Sequence, residues 1–217
     1  MKKIGFLLNP YFIFFIVSLL LVVVWFRGGS TLGGGEVGVP FYDLNRMLEM
    51  SQMSWSDRGL GMSTGFSVGG APYYKFFSML QNIGLPGYIL QASFFFVCIF
   101  MSLFSVYLLV KEVLPKISRP AYVFASFYYL VNQYSLVNIW NRFLPNQIMF
   151  YSFLPLGLWL FIRGIKTKKY FYVVLNAILS AIFSVAFIGP SQTVIFWGLL
   201  SFLTLYYYYV IERKKHV

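Results

Sequence analysis

Histidine, cysteine and acidic residues are scarce in this sequence of 217 residues. It contains one histidine, one cysteine and six acidic residues, against 17 lysines and arginines. The histidine, His216, lies at the extreme C-terminus, so neither a Ser-His-Asp triad nor a histidine-ligated zinc site can form. Cys98 has no partner for an intramolecular disulfide and is interpreted as a small buried hydrophobe. The nucleotide-binding motifs GxxxxGK(S/T) and GxGxxG are also missing.

Charged residues are missing altogether from six long apolar runs. Hydrophobic residues make up 59% of the chain and charged residues 11%, which is far from the composition of a soluble domain. The runs cover residues 4–26, 88–110, 121–131, 147–162, 170–188 and 193–211, and most approach the ~20 residues that cross a hydrocarbon core of ~30 Å. The sequence therefore predicts an all-α polytopic membrane protein with about six transmembrane helices. In the third run we expect the helix to end near Asn132, followed by a short outer element at 134–143.

Basic residues are distributed unevenly between the two sides of this predicted bundle. With the N-terminus inside, twelve lysines and arginines fall on the cytoplasmic side, while Arg27, Arg46, Arg58, Lys75 and Arg142 fall outside. This asymmetry follows the positive-inside rule, so membrane topology explains the net charge of +11 and no nucleic-acid partner is expected. We expect an integral, multi-pass protein of the cell (plasma) membrane with both termini cytoplasmic and the first run kept as an uncleaved anchor.

The long connection at residues 27–87 is expected to lie outside the membrane and to be structured. It is rich in aromatic residues, unlike a disordered linker. A helical period runs from Pro40 to Trp55, and a second at 73–82 aligns Tyr74, Phe77 and Leu80 or Gln81, which predicts two amphipathic surface helices. The chain is treated as a single membrane domain, 1–217, with a first span at 4–26, the outer loop at 27–87, five further spans at 88–211 and a cytoplasmic tail at 212–217.

Most of the acids lie in this outer loop, and their position points to chemistry on the outer face. A carrier usually has ionisable groups at mid-membrane, and the predicted spans contain none. Sugar transfer from a lipid phosphate needs a carboxylate base for the acceptor and cationic groups for the departing phosphate. The outer acids are Glu36, Asp43, Glu49 and Asp57, and the cationic candidates are Arg46, Arg58, Lys75 and Arg142. Solvation of an ordinary loop, or for Asp43 a helix dipole, is the alternative explanation.

The order of these features resembles the N-terminal region of a family of membrane glycosyltransferases. A first span, a nearby carboxylate, an amphipathic helix, the segment Trp55-Ser56-Asp57, the stretch LGMSTGFSVGGAPYYKFF and a second span follow one another. The stretch YYLVNQYSLVNIWNRFLPNQIMFYSFLPLGLWLFIRG adds a short outer element after the third span. The chain resembles GT-C fold glycosyltransferases, most closely the arabinofuranosyltransferase-like members, which are also catalogued as membrane proteins with a 6-pyruvoyl-tetrahydropterin synthase-related domain. The likeness is one of pattern and order and extends over most of the chain.

The resemblance implies transfer of a sugar, with inversion, from a polyprenyl-phosphate donor to a glycan or lipid acceptor in cell-envelope polysaccharide biosynthesis. It implies a catalytic acid in the first outer loop, which here is Glu36 or Asp43. The family more often has Asp after glycine where this sequence has GGGE, so both residues stay candidates. The resemblance also implies that Asp57 is the acid of the family's Trp-Asp segment, shifted here by one residue, and a role in a cap or turn is the alternative. The expected substrate contacts are Arg46, Trp55, Asp57, Arg58, Lys75 and Arg142.

The resemblance leaves some questions open. No cofactor is expected, although a divalent metal stays open. Members that resemble this chain usually continue well beyond six spans, whereas this sequence ends at Val217. Two interpretations remain, the N-terminal module of a longer protein and a reduced member that needs a further chain. The runner-up function is a non-enzymatic membrane scaffold or a transporter of lipid-linked saccharides.

Overall fold

The computed structural model describes residues 9–33, 41, 43–53, 55–56, 62–63 and 65–212. Helices dominate this part of the chain, and the strands within it are a two-residue antiparallel pair, β1 (Trp55–Ser56) and β2 (Met62–Ser63). The α-helices are α1 (Pro10–Trp25), α2 (Leu44–Gln52), α3 (Ala71–Asn82), α4 (Gly87–Val113), α5 (Arg119–Val131), α6 (Pro145–Thr167), α7 (Tyr170–Ile182) and α8 (Pro190–Tyr206). Short 3-10 turns cover Gly65–Gly70 and Ser184–Phe187, and π-helical turns cover Ser135–Trp140 and Tyr207–Glu212. The expected all-α architecture is confirmed for these residues.

Among the described helices, three are long and apolar enough to cross a membrane. They are α4 with 27 residues, α6 with 23, and α8 with its continuing turn, Pro190–Ile211, with 22. At ~1.5 Å per residue each exceeds a hydrocarbon core of ~30 Å. Helices α1 and α7 are apolar but shorter, with 16 and 13 described residues, and α5 also has 13. Length and composition therefore support three of the six predicted spans.

Local sequence signals set the ends of these helices. Proline lies in the first turn of α1, α3, α5, α6 and α8, where its missing N–H costs nothing and its φ suits a helix. Before α1, Asn9 Oδ1 accepts the N–H of Tyr11 at 3.1 Å. At the C-terminal end of α5, Asn132 Oδ1 accepts the N–H of Ser135 at 3.0 Å. The expected end of this helix near Asn132 is therefore confirmed.

Helix α4 is the centre of the bundle and packs against α1, α5 and α6. Serines line its contact with α6: the hydroxyl oxygens of Ser102 and Ser152 lie 3.1 Å apart, and Ser105 Oγ donates to the carbonyl oxygen of Ser152 at 3.4 Å. Small hydrogen-bonded side chains let two helices approach closely in an apolar environment. Helix α8 packs on another side of α6, where the missing side chain of Gly157 leaves room for the ring of Phe196.

The helices alternate in direction, which gives the bundle two distinct ends. Trp25, at the end of α1, packs on Phe95 near the start of α4, whereas Tyr11 packs on Tyr107 near its end. We call the end with Trp25 and the start of α4 the loop end. At the opposite end lie the short links after α4 and α6. Basic residues concentrate in and around these links, at Lys111, Lys116, Arg119, Arg163, Lys166, Lys168 and Lys169, and we call this the basic end.

A reciprocal tyrosine pair joins α5 to α6. The hydroxyl of Tyr129 donates to the carbonyl oxygen of Tyr151 at 2.8 Å, and the hydroxyl of Tyr151 donates to the carbonyl oxygen of Tyr129. Their rings stack with centroids 4.1 Å apart. Pro155 lies four residues after Tyr151 inside α6 and has no N–H to give to that carbonyl. The hydroxyl of Tyr129 therefore takes the acceptor that the proline leaves open.

Helices α2 and α3 form a small layer at the loop end. Asn45 Nδ2 donates to Asn82 Oδ1 at 2.9 Å, and the backbone N–H of Leu44 donates to Gln81 Oε1 at 3.1 Å. The neighbouring turn Gly65–Gly70 reaches the turn after α7, because Ser184 Oγ donates to the carbonyl oxygen of Gly69 at 2.7 Å. The long connection is thereby tied both to itself and to the far side of the bundle.

Three details of the predicted loop helices are wrong. The first helix begins at Leu44, not in a turn opened by Pro40, because the Asp43 side chain caps it and accepts the N–H of Arg46 at 2.9 Å. Trp55 lies in β1 and is 62% exposed, so it does not continue the buried stripe of that helix. In α3 the buried residues are Tyr73, Phe77 and Ser78, so Phe77 of the expected stripe is confirmed, whereas Tyr74, Leu80 and Gln81 are only partly buried.

Candidate functional site

A buried glutamine of α4 fixes the chain where it leaves α1. Gln91 is 2% exposed, its Oε1 accepts the N–H of Leu32 at 2.7 Å, and its Nε2 donates to the carbonyl oxygen of Leu32 at 2.8 Å. Both ends of the side-chain amide are thus committed to one backbone position. The chain that leads to Glu36 therefore starts from a fixed point, four residues before that acid.

Phe41, which follows residues 34–40 in the sequence, packs on α4 one turn before Gln91. A Cβ on Gly87 would clash with the carbonyl oxygen of Phe41, and Cγ2 of Thr31 would lie 3.6 Å from it. Only glycine permits this approach of two backbones. The ring of Phe41, 2% exposed, fills the space between Phe77 and Phe94 at centroid distances of 5.4 and 5.9 Å. Residues 34–40 are therefore flanked on both sides by positions packed on the first two turns of α4.

An open cleft of about 400 Å³ lies beside this anchor at the loop end. It is lined by Trp25, Leu32, Leu136, Trp140, Asn141 and Phe143. The rings of Trp25 and Trp140 lie 6.4 Å apart, and Nε1 of Trp140 donates to the carbonyl oxygen of Leu130 at 2.9 Å. Because that bond fixes the indole of Trp140, the cleft has a rigid aromatic wall. Leu32 belongs both to this wall and to the anchor of the loop segment.

Arg142 is the predicted substrate contact that lies closest in sequence to this cleft. It stands between Asn141 and Phe143, both of which line the cleft, and it is half-buried. Phe143 has φ +54°, a left-handed conformation that costs a residue with a Cβ of order 1 kcal/mol. The packing of its ring on Phe95, with centroids 5.2 Å apart, offsets that cost. Backbone strain of this kind is concentrated at functional sites, which supports the cleft as one.

The other described candidates with charged side chains lie on the layer of α2 and α3. Asp43 is exposed and caps α2, Arg46 is exposed in the first turn of α2, and Lys75 is exposed on α3. This layer packs on Phe94 of α4, whereas the cleft packs on the neighbouring Phe95. The charged candidates among the described residues therefore form two groups on adjacent faces of α4, with Arg142 in one group and Asp43, Arg46 and Lys75 in the other.

Several predicted site residues lie outside the described residues. These are Glu36, Asp57 and Arg58. Trp55 is described, and its indole is largely exposed in β1. In the part of the chain that the structure describes, no three histidine, cysteine or acidic side chains come together as a metal site would require.

Tyrosine in α3 provides no alternative base. The Tyr73 hydroxyl is buried without a hydrogen-bond partner among the described residues, and burial raises its pKa well above the usual value of 10.0. Burial also raises the pKa of Tyr74. Both phenols stay protonated at neutral pH, so neither can accept a proton from an acceptor hydroxyl. Tyr73 and Tyr74 are therefore not candidates for the base, whereas the carboxylates of this end remain candidates.

Sequence reasoning missed four residues that shape the site, namely Gln91, Trp25, Trp140 and Phe143. Gln91 was visible as the one amide in the first two turns of an apolar run, and an amide buried in lipid needs partners. The two tryptophans gave a weaker signal, because tryptophan is common at membrane boundaries. Nothing in the sequence marked the left-handed backbone at Phe143. Comparison of the chain with protein-family models, with curated proteins and with solved structures found no match in any of the three.

Proposed function

We propose that this chain is the N-terminal membrane module of an inverting GT-C-type glycosyltransferase. It transfers a sugar from a polyprenyl-phosphate donor in the membrane to an extracytoplasmic glycan or lipid acceptor. The observation that carries the proposal is the packing of Leu32 and Phe41, the described residues on either side of positions 34–40 in the sequence, on α4 beside the aromatic cleft. Glu36 is the acid of that segment, and we propose it as the base, with Asp43 as the second candidate.

The reaction needs one proton acceptor and one anion-binding group. The acceptor hydroxyl oxygen attacks the anomeric carbon, its proton passes to the carboxylate, and the bond from the anomeric carbon to the phosphate oxygen breaks. The electron pair of that bond leaves with the polyprenyl phosphate, whose charge an arginine stabilises. Arg142 is the leading candidate because it adjoins the cleft. Arg46, Arg58, Lys75 and the Trp55-Ser56-Asp57 segment then contribute to substrate binding.

The distribution of charge supports the proposed membrane topology. Among the described residues, the basic end has seven lysines and arginines and two acids, Glu112 and Glu212, whereas the loop end has Arg27, Arg46, Lys75 and Arg142 with Asp43 and Glu49. The positive-inside rule then assigns the basic end to the cytoplasm and the cleft to the outer face. In this proposal α1, α5 and α7 complete six spans, and a donor reaches the cleft from the lipid.

A second function is favoured by the lining of the cleft. Its described lining residues are aromatic, aliphatic or amide and include no acid, which suits binding of a lipid-linked saccharide without chemistry. A transporter or scaffold for such lipids is therefore the alternative. The two functions differ in whether a single carboxylate is essential.

The deciding experiment replaces Glu36 with Gln and Asp43 with Asn, each at the native expression level in the source cells. Lipid-linked sugars are quantified by mass spectrometry together with the envelope glycan. For an enzyme, removal of the base lowers transfer by ~100-fold or more, and donor accumulates on the outer face. Glu49→Gln is the matched control, since Glu49 is an exposed acid of α2.

Two outcomes would overturn the enzymatic proposal. One is transfer that survives both substitutions at unchanged protein level. The other is accumulation of the saccharide lipid on the inner face of the membrane in these variants. Lipid on that face is protected from a membrane-impermeant oxidant that is added to intact spheroplasts. The second result would identify a transporter.

A further inference from the structure

A second cavity lies at the basic end, between α4, α6 and the first turn of α7. Its volume is about 520 Å³, and its polar and aromatic lining consists of Lys111, Glu112, Trp159, Arg163, Lys166 and Tyr172. It is at the opposite end of the bundle from the cleft and plays no part in the proposed transfer reaction. Three cations, one carboxylate and two aromatic rings therefore meet at a site that has no assigned role.

Aromatic rings hold the guanidinium of Arg163 in a fixed position. Its central carbon lies 5.8 Å from the ring centre of Trp159 and 5.6 Å from that of Tyr172. Its Nε also donates to the hydroxyl of Tyr172 at 3.1 Å. Stacking and hydrogen bonding together orient a planar group whose N–H fork matches the oxygens of a phosphate or carboxylate.

Glu112 is shared by two cations and lies deeper than either of them. Its carboxylate accepts from Nη1 of Arg163 at 2.8 Å and from Nζ of Lys166 at 3.3 Å, and its backbone carbonyl accepts from the same Nζ at 2.8 Å. The Glu112 side chain is 16% exposed, while those of Arg163 and Lys166 are 41% and 43% exposed. The carboxylate thus positions the cations from beneath and leaves their outer sides accessible.

The cations retain capacity to bind an anion. The hydrogen bonds between described residues use two of the five N–H groups of Arg163. Lys111 is exposed, lines the same cavity and forms no ion pair with the described residues. The three cations and one carboxylate give the lining a net charge of +2. An anion with several oxygens is the ligand that such a lining favours.

We propose that this cavity binds a phosphate group. The group belongs either to the head group of an anionic phospholipid or to free inorganic phosphate, which share the same chemistry. The cavity lies at the last turns of α4 and α6, two helices of membrane-spanning length, and so at the depth where head groups meet the hydrocarbon. Basic pockets between helices at this depth recognise anionic head groups. The rings of Trp159 and Tyr172 offer apolar contact for the glycerol portion.

The test measures bound lipid on the purified full chain by native mass spectrometry. Equal amounts of phosphatidylglycerol and phosphatidylcholine are offered. We expect occupancy by phosphatidylglycerol to exceed that by phosphatidylcholine. We also expect it to fall about fivefold in Lys111→Gln and at least as much in Arg163→Gln.

Lys168→Gln is the matched control, because Lys168 is an exposed lysine of the same end that does not line the cavity. Lys111→Gln leaves both bonds to Glu112 in place, so its fold is expected to be intact, which an unchanged melting temperature verifies. Equal losses in Lys111→Gln and Lys168→Gln, or equal occupancy by the two lipids, would overturn the proposal.

Two further experiments complete the test. One asks whether a lipid head group or free phosphate is bound, and the other asks whether Arg163, Lys166 and Glu112 form only a structural ion pair. Inorganic phosphate that displaces phosphatidylglycerol identifies the phosphate group as the main contact, and a lack of displacement shows that the rest of the lipid is required. Glu112→Gln keeps a side-chain oxygen and the backbone carbonyl as acceptors for the two cations and removes the competing negative charge, so it is expected to raise the occupancy by phosphatidylglycerol. A fall in occupancy in that variant with an unchanged melting temperature would contradict the proposal.

Discussion

Gln91 and Leu32, 59 positions apart in the chain, form two hydrogen bonds with each other, at 2.7 and 2.8 Å. One side-chain amide thus satisfies both backbone groups of the residue from which the loop segment 34–40 departs. The relationship ties the exit of α1 to the second turn of α4. It also determines where the wall of the cleft stands, because Leu32 belongs to that wall.

Replacement of Gln91 by Leu is expected to destabilise the protein by ~2 kcal/mol or more. The substitution leaves the N–H and the carbonyl of Leu32 without partners in a largely buried position, and each unsatisfied group costs ~1–3 kcal/mol. Thermal unfolding in detergent measures the effect. Gln133→Leu is the control, because Gln133 is exposed, and it should change the melting temperature little. Equal melting temperatures for the two variants would show that the hydrogen bonds between Gln91 and Leu32 contribute nothing to stability.

Gly87→Ala and Gly198→Ala are expected to have opposite effects on stability. A Cβ on Gly87 would clash with the carbonyl oxygen of Phe41, and the forced backbone shift costs ~1–3 kcal/mol. A Cβ on Gly198 in α8 meets no atom within 4 Å, so alanine there is expected to gain up to ~1 kcal/mol of helix propensity. Chemical denaturation of both variants measures the difference. A Gly87→Ala protein as stable as the parent would contradict the close approach.

Asp43→Ala and Asp43→Asn separate the cap of α2 from any catalytic role. Alanine removes the acceptor for the N–H of Arg46 and is expected to cost ~1 kcal/mol, whereas Asn caps as well as Asp and should cost a few tenths. Circular dichroism during thermal unfolding measures both. In the transfer assay Asp43→Asn keeps the cap and loses the charge. Full activity in that variant would remove Asp43 as a base and leave Glu36.

If the cleft binds the donor of the proposed glycosyltransferase, Trp25→Ala is expected to lower transfer by about tenfold through weaker binding of that donor. Its ring faces Trp140 across the cleft, and removal of an aromatic wall costs about 1–2 kcal/mol of contact. The readout is the donor concentration needed for half-maximal transfer in native membranes. Trp197→Ala is the matched control, since that indole is 62% exposed on α8 and does not line the cleft. Equal effects of the two changes would speak against the cleft as the donor site.

The sequence predicted the positions of the helices better than their partners or lengths. Apolar runs indicate helices that are removed from water, because the free energy of that transfer depends on the composition of the run. Each predicted run does contain a helix. The run at 170–188 is broken after Ile182, where a 3-10 turn begins at Ser184, although the residues on both sides are apolar. Hydrophobicity alone cannot register such a break, because it measures transfer to lipid and not backbone geometry.

The candidate site was less accessible to sequence reasoning for a different physical reason. Tyr73 and Tyr74 are adjacent aromatic residues, so periodicity could not determine which one α3 buries. A single glutamine such as Gln91 has no periodic signal, and its partner lies 59 positions away. The assignment of Glu36 remains a prediction, because that residue lies outside the described part of the chain.

The reciprocal tyrosines of α5 and α6 have a consequence for the depth of α5 in the six-span arrangement proposed above. With 13 residues, α5 extends for only ~20 Å and has no length match that would hold it at one level. A slide of α5 by one residue, ~1.5 Å, would break the bonds of Tyr129 and Tyr151 together, since each tyrosine supplies the donor hydroxyl of one bond and the acceptor carbonyl of the other. The two bonds therefore fix the height of the short helix α5 relative to the long helix α6, so the length of α6 sets the depth of both.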